Sequence, residues 1–361
     1  KRISSVGRLF LSRVRSCTRL TQEVYCSCVS WIRDFALSLC SPCPLWFLVL
    51  ERAVSNRFDF LELGTTPQSP VMVEEADPAP QSGWKPLRLR CVEVIGEPGD
   101  KAGQFAAPTG IATDAWGGLY VADSQNHRVQ RITPAGEVYL YGRTGNGAGQ
   151  LWNPQAVTPD PSGQFFFVAD HGNNRVQCFR AMNGQPVGSL SDYEKPFRNP
   201  SGVAFDAEGM LWIADMGNGR LLRYNTVTSQ FIGVLDRKVG IGCPVSVACD
   251  KWNTLFVTDR ASSDVVRYSV DGKKLGRLGE NRRLSQPSEV VLDAEGRIYL
   301  VETGANRLHV FSPEGESLLV YDMPNGRLGA FKSPTGVALG VNGEIYVSDT
   351  LNHRVLHLTW D

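Results

Sequence analysis

One eleven-residue pattern recurs six times in this chain and constrains its fold more than any other feature. Leu119–Val129 reads LYVADSQNHRV: four apolar residues, an acid, a short polar loop, an Arg and a return to apolar residues. The other copies are FFVADHGNNRV at Phe166–Val176, LWIADMGNGRL at Leu211–Leu221, LFVTDRASSDV at Leu255–Val265, IYLVETGANRL at Ile298–Leu308 and IYVSDTLNHRV at Ile345–Val355. The acid stands at 123, 170, 215, 259, 302 and 349, so the period runs from 43 to 47 residues. A repeat of this length marks an array of one supersecondary unit.

Each unit parses into four short strands. In the first, strand a is Gly110–Asp114, strand b Leu119–Ala122, strand c Arg128–Thr133 and strand d Glu137–Gly142. Gly117-Gly118 and Pro134-Ala135-Gly136 supply the turns. A proline leads strand a in every copy (Pro108, Pro154, Pro200, Pro244, Pro287 and Pro334), where no ladder donor is required.

Strand b sets the architecture. It is apolar at consecutive positions, so both of its faces must be buried. A four-stranded antiparallel sheet buried on both faces needs a like sheet on each side. The second position of strand b is aromatic in all six copies (Tyr120, Phe167, Trp212, Phe256, Tyr299 and Tyr346), and a ring there fills the gap between neighbouring sheets. Six such sheets around an axis make an all-β, six-bladed β-propeller. Small residues on strand a, such as Ala112, Ala204 and Ala338, place it innermost.

The two ends fit one another. The last unit stops after strand c, Arg354–Thr359, while an orphan strand, Leu89–Gly96, precedes the first unit. The orphan strand is expected to complete the sixth blade and close the ring, which removes an open sheet edge.

At these residues the chain resembles the NHL-repeat family. The carriers are the leading proline, the Gly-rich hairpin, the apolar-Asp strand end and the Asn-x-Arg step of Asn126-His127-Arg128, Asn173-Asn174-Arg175 and Asn352-His353-Arg354. The resemblance covers about Arg88 to Asp361. It implies loop faces that grip proteins or single-stranded RNA, often joined to other modules. A related enzymatic branch, the peptidylglycine-amidating lyase, carries zinc-binding His directly after the leading proline. Here those positions are Thr109, Gln155, Ser201, Val245, Ser288 and Thr335. None is a zinc ligand, so the lyase chemistry is not supported.

The expected domains are a basic, Cys-containing extension over 1–60, a Pro-rich acidic linker over 61–87 and the propeller over 88–361. Phe35–Leu50 is the most apolar run, but at about 16 residues with two prolines it is short for a spanning helix. Cys26, Cys28, Cys40 and Cys43 lack the His partners of a zinc module and read as unrelated thiols. From Arg90 onward acidic residues outnumber basic ones, 29 to 26. That balance argues against a DNA-gripping domain. No glycosylation sequon is present, which leans towards an intracellular or bacterial setting.

Repetition separates structure from function. The pairs Asp123–Arg128, Asp170–Arg175, Asp215–Arg220, Glu302–Arg307 and Asp349–Arg354 recur in nearly every unit and are expected to hold the b–c loop. Binding residues are expected where the repeat breaks its own rule. After the acid stand Ser124, His171, Met216, Arg260, Thr303 and Thr350, of which His171, Met216 and Arg260 would form a mixed lip on three adjacent blades. Trp152 and Phe197, between blades, are stacking candidates, and Glu289 stands where three copies carry Gly. The expected function is non-catalytic recognition of a protein or peptide, with no catalytic residue, metal or cofactor and no membrane contact by the propeller. A single-stranded RNA ligand is the alternative, supported by Arg260, Lys273-Lys274 and Arg282-Arg283. A metal-dependent propeller lyase or hydrolase using Glu289 and Glu302 is the alternative of a different class.

Overall fold

The computed structural model describes residues 87–190, 195–278, 284–323 and 329–361. The expected extension and nearly all of the expected linker lie outside the described residues. The described chain is all-β, with only single 3-10 turns between strands. It forms six four-stranded antiparallel sheets, five of them built from consecutive strands.

Blade 1 comprises Pro108–Thr113, Leu119–Asp123, Arg128–Ile132 and Val138–Tyr141, as strands a to d. Strand a thus begins at the proline itself, two residues before the sequence reading put it. The register explains the difference: Pro108 pairs with Asp123, but Ile111 pairs with Val121, so a bulge absorbs one residue between them. Blades 2 to 5 open their strands a at Ala156, Pro200, Pro244 and Pro287. Blade 6 holds Gly336–Leu339, Ile345–Asp349 and Arg354–Trp360, and its fourth strand is the N-terminal Leu89–Ile95. Leu89 pairs with Trp360 and Ile95 with Val355, so the two ends of the propeller close the ring as expected.

The core lies between blades. Tyr120, Val129 and Tyr141 of blade 1 pack on Val157, Phe166 and Val168 of blade 2. Trp212 and Leu221 of blade 3 meet Val247, Leu255 and Val257 of blade 4 in the same way. Five of the six aromatic second positions are buried, and Tyr346 is half-buried. Burying side chains of this size stabilises by roughly 1.5–3 kcal/mol each, so every blade depends on its neighbours.

Near the axis the sheets approach backbone to backbone. The Gly110 N–H donates to the Gln155 carbonyl of the next blade at 2.9 Å. A Cβ on Gly110 would lie 2.5 Å from that carbonyl oxygen, and one on Gly202 would lie 2.7 Å from Val245 O. Glycine is required at both positions because the neighbour is backbone and cannot turn aside.

Candidate functional site

Strands a and c start at one end of each blade, where strands b and d finish. The b–c loops and the connections between blades therefore share one face of the disc, here the connection face. The a–b and c–d turns share the other, the turn face.

On the connection face each buried acid is a hub. Asp123 accepts the Ala106 N–H at 2.7 Å, Asn126 Nδ2–H at 2.9 Å, Arg128 Nε–H at 2.7 Å and Gln130 Nε2–H at 2.9 Å. Arg128 then donates to the carbonyls of Asp100, Lys101 and Gln104, which pins the incoming connection. Asp170 with Arg175 repeats the arrangement around 146–150, and Asp215 with Arg220 and Asp349 with Arg354 repeat its centre. The Asn of the Asn-x-Arg step also bonds both the acid and the connection, as Asn173 does with Asp170 and the Gly145 carbonyl. These charges face inward and hold loops.

In blade 5 the hub is Glu302. Arg307 donates to it at 2.8 Å, the Ser285 N–H at 2.8 Å, and His309 Nδ1 lies 2.9 Å away. Burial alone would raise its pKa, but the bonds from His309, Arg307 and Ser285 override it and hold the carboxyl at about 2. His309 Nε2 meets Ser317 Oγ at 2.7 Å. The Ser–His–Glu order resembles a catalytic relay, yet the His309 side chain is 0% exposed, so no substrate atom reaches it.

Two further positions stitch one blade to the next at four of the six junctions. The residue after the acid bonds the leading proline carbonyl of the following blade: Ser124 to Pro154, His171 to Pro200 at 3.2 Å, Thr303 to Pro334 at 2.7 Å and Thr350 to Pro108 at 2.8 Å. The residue before the Arg adopts the left-handed conformation and accepts the N–H that precedes the next proline. His127 accepts from Asn153, Asn174 from Asn199, Asn306 from Ser333 and His353 from Ala107.

Both stitches lapse on either side of blade 4. Blade 3 has Met216 and Gly219 at the two positions, and blade 4 has Arg260 and Ser263. The junction of blades 3 and 4 is partly mended, because Ser201 Oγ donates to the carbonyls of Pro244 and Val245. Blade 4 also has Asp264 in place of the Arg. Its incoming connection is a short 3-10 turn, Arg237–Val239, capped by Asp236, so it needs no distant guanidinium. Asp259 takes the Gly242 and Cys243 N–H groups directly.

A cavity of about 120 Å³ opens at the axis on this face. Thr109, Gln155, Ser201, Val245, Ser288 and Thr335 line it, one from each blade, together with Arg260, Gln286, Pro287 and Glu289. Arg260 is exposed, and among the described residues its side chain has no hydrogen bond or ion pair. Glu289 reaches from blade 5 to the Val337 N–H of blade 6 at 3.0 Å and also feels the Ile111 N–H of blade 1. Water meets it only through the channel, and burial pushes its carboxyl up to about 8 against the pull of those two N–H groups.

The expected site residues therefore divide. Arg260 and Glu289 share the channel mouth. Met216 is half-buried and is not among the residues that line the cavity. His171 is tied to Pro200 and to Asn199, and burial, with Arg260 nearby, lowers its pKa. It closes a junction and is not free to form a lip. Trp152 is 49% exposed on the connection face, stacked on His127 at 4.7 Å between ring centres. Phe197 is a correction: it is 4% exposed and packs edge-on to Phe231, inside the core. The basic cluster is a second correction. Lys273 lies in a c–d turn, at the opposite end of blade 4 from Arg260, and Arg282-Arg283 lie outside the described residues. Glu302 is spent on blade 5's own loop and does not join Glu289. Among the described residues no cluster of three His, Cys, Asp or Glu is placed to hold a metal. Sequence reasoning missed the backbone of Gln286 and Pro287, which line the cavity and which Arg260 and Ser263 do not bond.

The faces differ in charge. Exposed on the connection face are Lys101, Arg143, Arg198, Arg237, Lys238, Arg260 and Lys332, against Glu97, Asp100 and Asp322. Exposed on the turn face are Glu137, Glu208, Asp271, Glu295, Glu314, Glu316 and Asp361, against Arg88, Arg180, Lys251, Lys273 and Lys274.

Fold and loop chemistry together define a closed six-bladed β-propeller with Asn-x-Arg connection loops. The NHL repeat family matches at residues 105–132 and 331–358, the repeats of blades 1 and 6. The chain thus carries NHL repeats in at least these two blades. It is 29% identical to human NHL repeat-containing protein 3 over 51% of this chain and 54% of that protein. It is 22% identical to the human E3 ubiquitin-protein ligase TRIM32 over 84% of this chain and 44% of that protein. The chain thus spans about half the length of these curated relatives. Among solved structures, a streptogramin B lyase superposes with a TM-score of 0.55 at 14% identity, covering 78% of this chain and 100% of the lyase, a likeness of fold.

Proposed function

We propose that this chain is a non-catalytic binding propeller that recognises a protein or peptide partner with its connection face. The observation that carries this reading is Arg260. A repeat that uses the position after the acid for stitching leaves a cation without a structural bond over the channel mouth. Loops on a rigid scaffold are where binding residues concentrate, and Trp152 adds an exposed aromatic anchor on the same face. The test is a photocrosslinking residue placed at 152, with one at Trp252 on the turn face as control. Protein adducts at 152 that survive ribonuclease, and are absent at 252, are expected. Equal labelling at both positions, or adducts lost to ribonuclease, would refute the reading.

The excess of exposed cations on the connection face supports a second reading, single-stranded RNA. Phosphate contacts weaken steeply with salt. Anisotropy with a randomised RNA pool from low to physiological salt separates this reading from the first.

A further inference from the structure

The four stitched junctions indicate what that of blades 4 and 5 lacks, where Thr258 Oγ1 reaches across to bond only the Ser288 carbonyl, at 2.7 Å. At four junctions the preceding blade supplies a hydroxyl or ring N–H to the proline carbonyl and an imidazole or amide acceptor to the N–H before it. Between blades 4 and 5 those groups are the Pro287 carbonyl and the Gln286 N–H. Among the described residues no side chain bonds either one, and both residues line the cavity with Arg260. An unpaired N–H, an unpaired C=O and a free guanidinium thus meet at one rim of the mouth.

A peptide unit carries the complementary pair, a C=O for Gln286 and an N–H for Pro287, and an adjacent carboxylate matches Arg260. A nucleic-acid backbone offers no such N–H. We propose that the mouth binds an extended acidic peptide, its backbone completing the junction of blades 4 and 5 and one Asp or Glu side chain pairing with Arg260. This rests on the reading that the connection face binds protein or peptide.

The repeat also supplies the decisive variant. Thr303 and Asn306 fill the equivalent groups one blade on. Arg260→Thr with Ser263→Asn should therefore let blade 4 stitch itself and displace the ligand. The probe is a heptapeptide array whose central residue is fixed as Asp/Glu, Asn/Gln or Lys, read with the labelled full chain. Acid-centred peptides should be preferred, and Arg260→Ala should weaken them at least tenfold. The double variant should lose them while its thermal midpoint rises. No preference for acids, or unchanged binding by Arg260→Ala, would overturn the proposal. If binding then fell only with Trp152→Ala, the mouth would be excluded and the face reading kept. If no peptide bound and the RNA pool did, both would fall.

Discussion

His353 Nδ1, on blade 6, accepts the Ala107 N–H of blade 1 at 2.9 Å. With the strand pairing of Leu89–Ile95 and the Thr350 bond to Pro108, it seals the ring where the described chain begins and ends. His353→Ala leaves that N–H without its partner, at a cost of about 1–3 kcal/mol. His353→Asn should recover most of the loss, because Asn174 and Asn306 do the same work at other junctions. Thermal unfolding of the two variants checks both statements.

Asp215 and Arg220 form a buried pair 2.7 Å apart, with the Arg198 N–H on the second carboxylate oxygen. Asp215→Ala would leave a buried guanidinium without its acid, so a loss of about 3–5 kcal/mol is expected. Asp259→Ala, in the blade with Asp264 where the paired Arg would stand, strands only N–H groups and should cost less. Denaturant midpoints that place the two variants together would contradict this account.

The architecture was legible because period, both-face burial and ring closure are all written in residue order. The site was only half legible. Arg260 stood out because the repeat supplies its own standard of comparison. His171 broke the same pattern, yet it bonds Pro200 as the hydroxyls do elsewhere. Trp152 and Phe197 occupy similar connections, but a strand-d residue, Phe231, draws Phe197 into the core. No residue type announces a packing partner that is over 30 residues away. The Gln286 N–H and Pro287 carbonyl are backbone groups, which side-chain patterns do not encode.

Glu302 predicts acid sensitivity. Its carboxyl is held at about 2, below its ordinary 4.5, so the stability it contributes is full above pH 4.5. That stability is lost as pH falls through about 2. Glu302→Gln should lower stability at pH 7 and flatten the acid limb of the unfolding profile. A variant whose acid limb overlays the wild type would refute the assignment.

Glu289 predicts the opposite slope. Its folded value, about 8, lies above 4.5, so its contribution is complete below pH 4.5 and is lost as pH rises through about 8. Glu289→Gln keeps an acceptor for Val337 without a titrating proton. The variant should gain on the wild type by a few degrees in thermal midpoint between pH 5 and pH 9. Parallel curves would show that the carboxyl does not charge within that range.

Glu289 can enter the channel only because Gly336 leaves it room. A Cβ at Gly336 would lie 2.9 Å from Glu289 Oε2, 2.7 Å from Ser348 Oγ and 2.3 Å from the Thr109 carbonyl oxygen. The first two are side chains that can turn aside. The third is backbone of the next blade, so the inner strands of blades 6 and 1 must separate. Gly336→Ala is expected to cost about 1–3 kcal/mol, the range for overpacking a filled site. Glu289→Ala in the same chain should relieve only part of that cost, since the Thr109 carbonyl remains. Gly188, on an outer strand with nothing within 4 Å of its Cβ position, is the control, and Gly188→Ala should stay within about 0.5 kcal/mol of wild type. Full rescue by Glu289→Ala would instead assign the crowding to the carboxylate.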